Sequence, residues 1–98
     1  MRVVWTDRGK ARLRQIHAYI AKDQPLNANA FVDRLTRRVD QLIEQPRSGR
    51  IVERYNRDDL RELIESGYRI IYLILPDRID IMTVRDSRRV LPRSLRDL

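Results

Sequence analysis

Ninety-eight residues without a cysteine exclude a disulfide framework and thiolate metal ligation, yet give enough chain for one core without such staples. The 21 basic residues, all arginine except Lys10 and Lys22, outweigh 14 acidic ones for a net charge of +7. Arginine forks phosphate and carboxylate bidentately, so an anionic partner is expected, either nucleic acid or acidic protein, although part of the excess belongs on solvated helix faces.

In chain order, Val3-Val4-Trp5-Thr6 is a short β-prone run that ends at Asp7. Thr6 or Asp7 can cap a helix over about residues 8–22, whose apolar stripe is Leu13, Ile16 and Ile20. Pro25, tolerated in a first turn but not in mid-helix, opens a second helix over about residues 25–44. Ala28, Val32, Leu35, Val39 and Leu42 recur there at intervals of four and three, widened by Phe31 and Ile43, the strongest periodic signal in the chain. So short a link between two amphipathic helices predicts an αα-hairpin. Gln45-Pro46-Arg47-Ser48-Gly49-Arg50 is a turn-rich stop, and residues 51–59 show no period and are expected to be irregular surface. Residues 60–64 read as a strand that Glu65-Ser66-Gly67 turns into the next.

The stretch from Gly67 to Val84 is the centre of the design: two runs rich in Ile, Tyr, Leu and Val around Pro76-Asp77-Arg78 predict a β-hairpin. Its first arm, apolar on both faces, is expected to be a central strand. In the second, strict alternation puts Ile79 and Ile81 on one face and Met82 and Val84 on the other. The hairpin delivers Arg85, Asp86, Ser87, Arg88 and Arg89 to a strand end. Residues 90–98 are a tail free either to dock a short helix or to stay mobile. Together these elements predict one α+β domain over residues 1–98, βααβββ, with a small mostly antiparallel sheet. The helical pair covers one face and leaves the other open as a docking surface.

Several residues have a structural expectation of their own. His17, beside the first stripe and without an orienting carboxylate, is assigned no role, and Trp5 is expected in the core. Tyr68 and Tyr72 are expected to pack against the second helix. Arg69 projects from a central strand, where it needs a carboxylate, a phosphate or solvent; Glu62 and Asp80 are the candidate ion-pair partners, and a functional role carries equal weight. No apolar run approaches a membrane span and the N-terminus lacks a continuous apolar h-region, so a cytoplasmic location without a membrane partner is expected.

The combination Leu60-Arg61-Glu62-Leu63, Gly67-Tyr68-Arg69-Ile70-Ile71-Tyr72, a turn, Ile79-Asp80-Ile81, and Val84 followed by Arg88-Arg89 resembles the RelE/ParE superfamily of toxin-antitoxin toxins, as does the 46–50 turn after two helices. The resemblance spans nearly the whole chain. It implies a co-expressed antitoxin as partner in a hetero-oligomer, no cofactor and no metal, and one of two activities: inhibition of DNA gyrase in the ParE-like branch, or ribosome-dependent mRNA cleavage in the RelE-like branch. For a nuclease, the matching positions are Arg69, Asp86, Arg88 and Arg89. Proton-transfer groups are scarce there: where many relatives carry His-x-Arg-Arg, this chain has Asp86-Ser87-Arg88-Arg89, and Asp86 beside arginines is a weak base. For a gyrase inhibitor, which needs no acid-base pair and so is favoured, the expected target-binding residues are Arg85, Arg88, Arg89, Arg93 and Arg96. A degenerate member that binds antitoxin without toxicity is a third reading.

Overall fold

Thr6 fixes the first corner of the chain. In the computed structural model, which describes residues 1–98, its hydroxyl caps the first helix by accepting from Gly9 N at 3.0 Å while donating to Ile81 O at 2.8 Å. One side chain thus starts a helix and ties it to the sheet. Strand β1 (Arg2–Trp5) precedes it, and helices α1 (Asp7–Ala21) and α2 (Pro25–Asp40) follow, α2 tightening into a 3-10 turn at Gln41–Ile43. Strands β2 (Arg50–Ile51), β3 (Leu60–Glu65), β4 (Tyr68–Ile74) and β5 (Arg78–Asp86) complete one five-stranded sheet in the order β1-β5-β4-β3-β2. All neighbours are antiparallel except β1, which runs parallel to β5. This is the α+β architecture expected, with β1 reaching its place beside β5 through the helical pair. No helix is long and apolar enough to cross a membrane.

The β3–β4 hairpin closes through Ser66 and Gly67, both with positive φ (53° and 82°), the pair of left-handed residues that a two-residue turn requires to match strand twist. Helix α2 buries Ala28, Phe31, Leu35 and Val39, the stripe read from its period. With Leu42 they pack on Leu63, Ile70, Tyr72, Ile79, Ile81 and Val84 of the sheet, while Trp5, Leu13, Ile16 and Ile20 line the border of that core.

Three expectations change. Residues 51–59 are not wholly irregular: Arg50 and Ile51 pair with Glu62 and Arg61 as an edge strand too short to show a period. Strict alternation fails in β5, because Ile71 pairs with Thr83 and Tyr72 with Ile81, leaving Met82 as a bulge. The extra residue returns Val84 to the face of Ile79 and Ile81, and all three enter the helix-side core. The second sheet face is also not open. Val52, Leu60, Ile71, Leu91 and Leu98 form a second cluster there, flanked by Tyr55, Leu73 and Leu95. The tail, with a 3-10 turn at Leu95–Asp97, supplies three of these leucines and closes the face.

Candidate functional site

Arg69 lies on that second face, where β3, β4 and β5 bring Ile64, Arg69 and Arg85 into one row. Its guanidinium reaches back to Glu62 Oε1 at 3.4 Å and donates to Ser87 O at 3.3 Å. Glu62 is 3% exposed and also meets Arg50 at 3.5 Å, so one buried carboxylate is held between two guanidinium groups on its neighbours. Of the two candidate partners Glu62 is therefore the one used; Asp80 pairs instead with Arg78 at 2.8 Å. Arg50, Arg54, Glu62, Arg69 and Leu91 line a cleft of about 590 Å³ at this edge of the sheet. Neither Arg50 nor Arg54 was singled out by the sequence, because Arg50 belongs to the turn after the second helix and Arg54 to a segment without periodicity.

Asp86 ends β5 and is engaged by its neighbour two residues on. Arg88 donates from its backbone N (2.9 Å) and Nε (3.1 Å) to Oδ1 and from a terminal nitrogen to Oδ2 (2.9 Å). These bonds hold the Asp86 carboxyl at a pKa of about 2, below the ordinary 3.8. Arg88 itself remains exposed. Arg85 is turned inward: its terminal nitrogen donates to Asp97 O at 3.0 Å and Leu98 O at 3.4 Å, and burial lowers its pKa. It holds the tail rather than presenting a charge outward. Arg89, Arg93 and Arg96 are exposed and pair with no carboxylate, so they present free guanidinium groups to solvent. Arg54 Nε and the Tyr55 hydroxyl both donate to Pro92 O, fixing the start of the tail.

Neither Tyr72 nor His17 supplies a free proton-transfer group to this cluster. The Tyr72 hydroxyl is spent in the loop after α2, donating to Pro46 O and accepting from Gly49 N, each at 2.9 Å, and burial raises its pKa. His17 Nε2 is paired with Asn29 Oδ1 at 2.8 Å between the two helices. Tyr68, edge-on to Phe31 at 5.1 Å, stands closer, near Asp86 and Arg88; burial raises its pKa too, so it remains a phenol at neutral pH. No group of three or more His, Cys, Asp or Glu side chains is placed to hold a metal ion. Chemically, the arrangement offers cations that can bind an anion and a phenol that can donate a proton; of its carboxylates, Asp86 is too weak a base to remove one, Glu62 is buried between Arg50 and Arg69, and Glu53 lines the Arg69 cleft.

The profile described as "ParE toxin of type II toxin-antitoxin system, parDE" matches residues 3–91. The chain belongs to the ParE toxin family. A protein of Sinorhizobium fredii named "Putative toxin Y4kP" is 38% identical to this ParE-family chain over 94 residues, covering 96% of each. A solved chain from the "Chromosomal ParDE TA system from P. aeruginosa" superposes with a TM-score of 0.77 over 90% of this chain and 97% of its own. At 19% identity, that match speaks for the fold alone. In this ParE toxin the arginines read from the sequence are thus divided by the fold: Arg69 and Arg85 are built into the sheet and tail, Arg88 is paired with Asp86, and Arg89, Arg93 and Arg96 face outward.

Proposed function

We propose that this ParE toxin acts in the cytoplasm as a protein inhibitor of DNA gyrase, without chemistry of its own, and is neutralised by a cognate antitoxin bound as a hetero-oligomer. The observation that carries this reading is the Asp86–Arg88 pair. A metal-free RNA cleavage needs a base to deprotonate a 2′-hydroxyl, and the carboxylate in the family's histidine position has a pKa of about 2. Binding to a target asks only for a complementary surface, and Arg89, Arg93 and Arg96, with Arg88 beside them, supply a cationic one. The net charge of +7 equally suits an acidic antitoxin segment.

The deciding experiment runs gyrase supercoiling and ribosome-programmed mRNA cleavage on the same preparation of toxin. Inhibited supercoiling with intact mRNA is the expected result, relieved by Arg89→Gln, Arg93→Gln and Arg96→Gln in combination. These three substitutions are preferable to removing the tail, because truncation also strips Leu95 and Leu98 from the second core. Cleaved mRNA with unaffected gyrase would overturn the proposal in favour of a RelE-like nuclease. Unchanged growth on expression without antitoxin would overturn it in favour of a non-toxic member.

A further inference from the structure

A groove separate from the sheet-face cleft runs along α1. Arg8, Arg12, Gln15 and Tyr19 follow one another at four, three and four residues and so share one face of the helix, over about 16 Å at 1.5 Å per residue. Opposite stand the end of β5 and the tail. The space between them consists of two clefts of about 440 and 410 Å³ that adjoin at Arg12 and Gln15, which border both. The first reaches Tyr19, Tyr68, Arg85, Asp86, Arg88 and Arg89; the second reaches Arg8, Asp97 and Leu98.

The chemistry of the lining changes along its length. Arg8 reaches only a carbonyl, Arg96 O at 3.4 Å, and Arg12 and Arg89 pair with no carboxylate. The Nε of Arg85 is buried without an acceptor. Burial first, and then the nearby Arg12 and Arg8, disfavour the charge of Arg85, and the groove's two carboxylates, Asp86 held by Arg88 and Asp97 at the tail, are outnumbered by Arg8, Arg12, Arg85, Arg88 and Arg89. At the far end, Tyr19 is 71% exposed, an unusual setting for a large ring, and it stands close to Tyr68 and Arg88. Unpaired guanidinium groups bind phosphates, and an exposed ring beside them offers a face for a base.

We infer that this groove binds single-stranded nucleic acid, with Arg8, Arg12 and Arg89 on the phosphates and Tyr19 stacking a base. An acidic peptide would satisfy the cations but leave the Tyr19 ring without a flat partner. A duplex would present its phosphates while keeping its base faces closed. The groove shares Arg89 with the surface proposed to bind gyrase, but its test contains neither gyrase nor antitoxin, so the two readings fail separately.

The test is fluorescence anisotropy of the purified full chain with labelled oligothymidylate and oligouridylate of about 12 nucleotides, within the span of known single-strand sites. A matched duplex and polyglutamate serve as competitors. Arg12→Gln and Arg89→Gln should each weaken binding and lower the slope of log K against log salt by about 0.7. Tyr19→Ala should weaken binding about tenfold with little change in slope. Arg37→Gln, which removes an exposed charge from α2 outside the groove, should do neither. Circular dichroism checks that each variant is folded, and Arg89→Gln, at an exposed loop position, carries the test if Arg12→Gln is not. Preference for either oligonucleotide over the duplex, with these variant effects, supports the groove, and the DNA and RNA arms identify which strand it takes. Equal loss with Arg37→Gln, no effect of Tyr19→Ala, or equal competition by duplex or polyglutamate would overturn it.

Discussion

Replacing Arg69 by methionine removes one of the two guanidinium groups around a carboxylate that is 3% exposed. The remaining partner, Arg50, is 3.5 Å from Glu62 but has a side chain 67% open to solvent, which weakens its attraction. Breaking a fully buried pair from one side costs about 3–5 kcal/mol; with Arg50 retained and Arg69 itself 21% exposed, about 2 kcal/mol is the expected loss. For a domain of this size that lowers Tm by about 8–16 °C. Substituting both partners, Arg69→Met with Glu62→Leu, removes the stranded charge and should return stability to within about 1 kcal/mol of the parent. Urea unfolding of the parent, both single variants and the double closes the cycle, and the coupling should exceed about 1 kcal/mol. An Arg69→Met protein with an unchanged midpoint, or a double variant as unstable as the sum of the singles, would refute the assignment of Arg69 as a structural partner of Glu62. The result also governs how toxicity assays are read: a loss of activity in Arg69→Ala alone is open to either cause, whereas a folded double variant separates phosphate binding from stability.

Three further predictions follow from the packing and the charges. Gly9→Ala should destabilise the protein by about 1–3 kcal/mol in thermal melts, although alanine is the better helix former, because a Cβ there would lie 2.6 Å from Ile81 O; a gain in Tm would contradict the close α1–β5 approach. Asp86 has a folded pKa depressed to about 2 from an ordinary 3.8, so its contribution to stability is complete above the unfolded value and disappears as pH falls through about 2. Carboxyl NMR should find it titrating in that window, and Arg88→Ala should move the titration up toward the ordinary value; an unmoved midpoint would mean that Arg88 is not the cause. Leu98→Ala should cost about 2–3 kcal/mol and speed hydrogen exchange in β3 and β4 if the tail truly closes the second core, and an effect under about 0.5 kcal/mol would show that it does not.

What the sequence determined by itself was everything carried by local period and turn chemistry. The α2 stripe of Ala28, Leu35 and Val39, the break at Pro25, the Ser66-Gly67 turn and the doubly apolar β4 could be read because each constrains only neighbours along the chain. The excess of arginine, and the poverty of proton-transfer groups beside it, were legible for the same reason. Tertiary structure decided what depends on partners distant in sequence. A strand of two residues at Arg50–Ile51 exists only because β3 is there to pair with it, and a bulge at Met82 cannot be seen in a pattern that assumes strict alternation. The candidate site divided along the same line. Asp86 and Arg88 are two residues apart, so their pairing was foreseeable, whereas Arg85 faces the tail and Arg69 faces Glu62 only once the sheet has set their directions. Arg8, Arg12 and Tyr19 were three polar or exposed positions on a helix until the end of β5 was placed beside them; charge is written in the sequence, but which charges share a groove is fixed by packing.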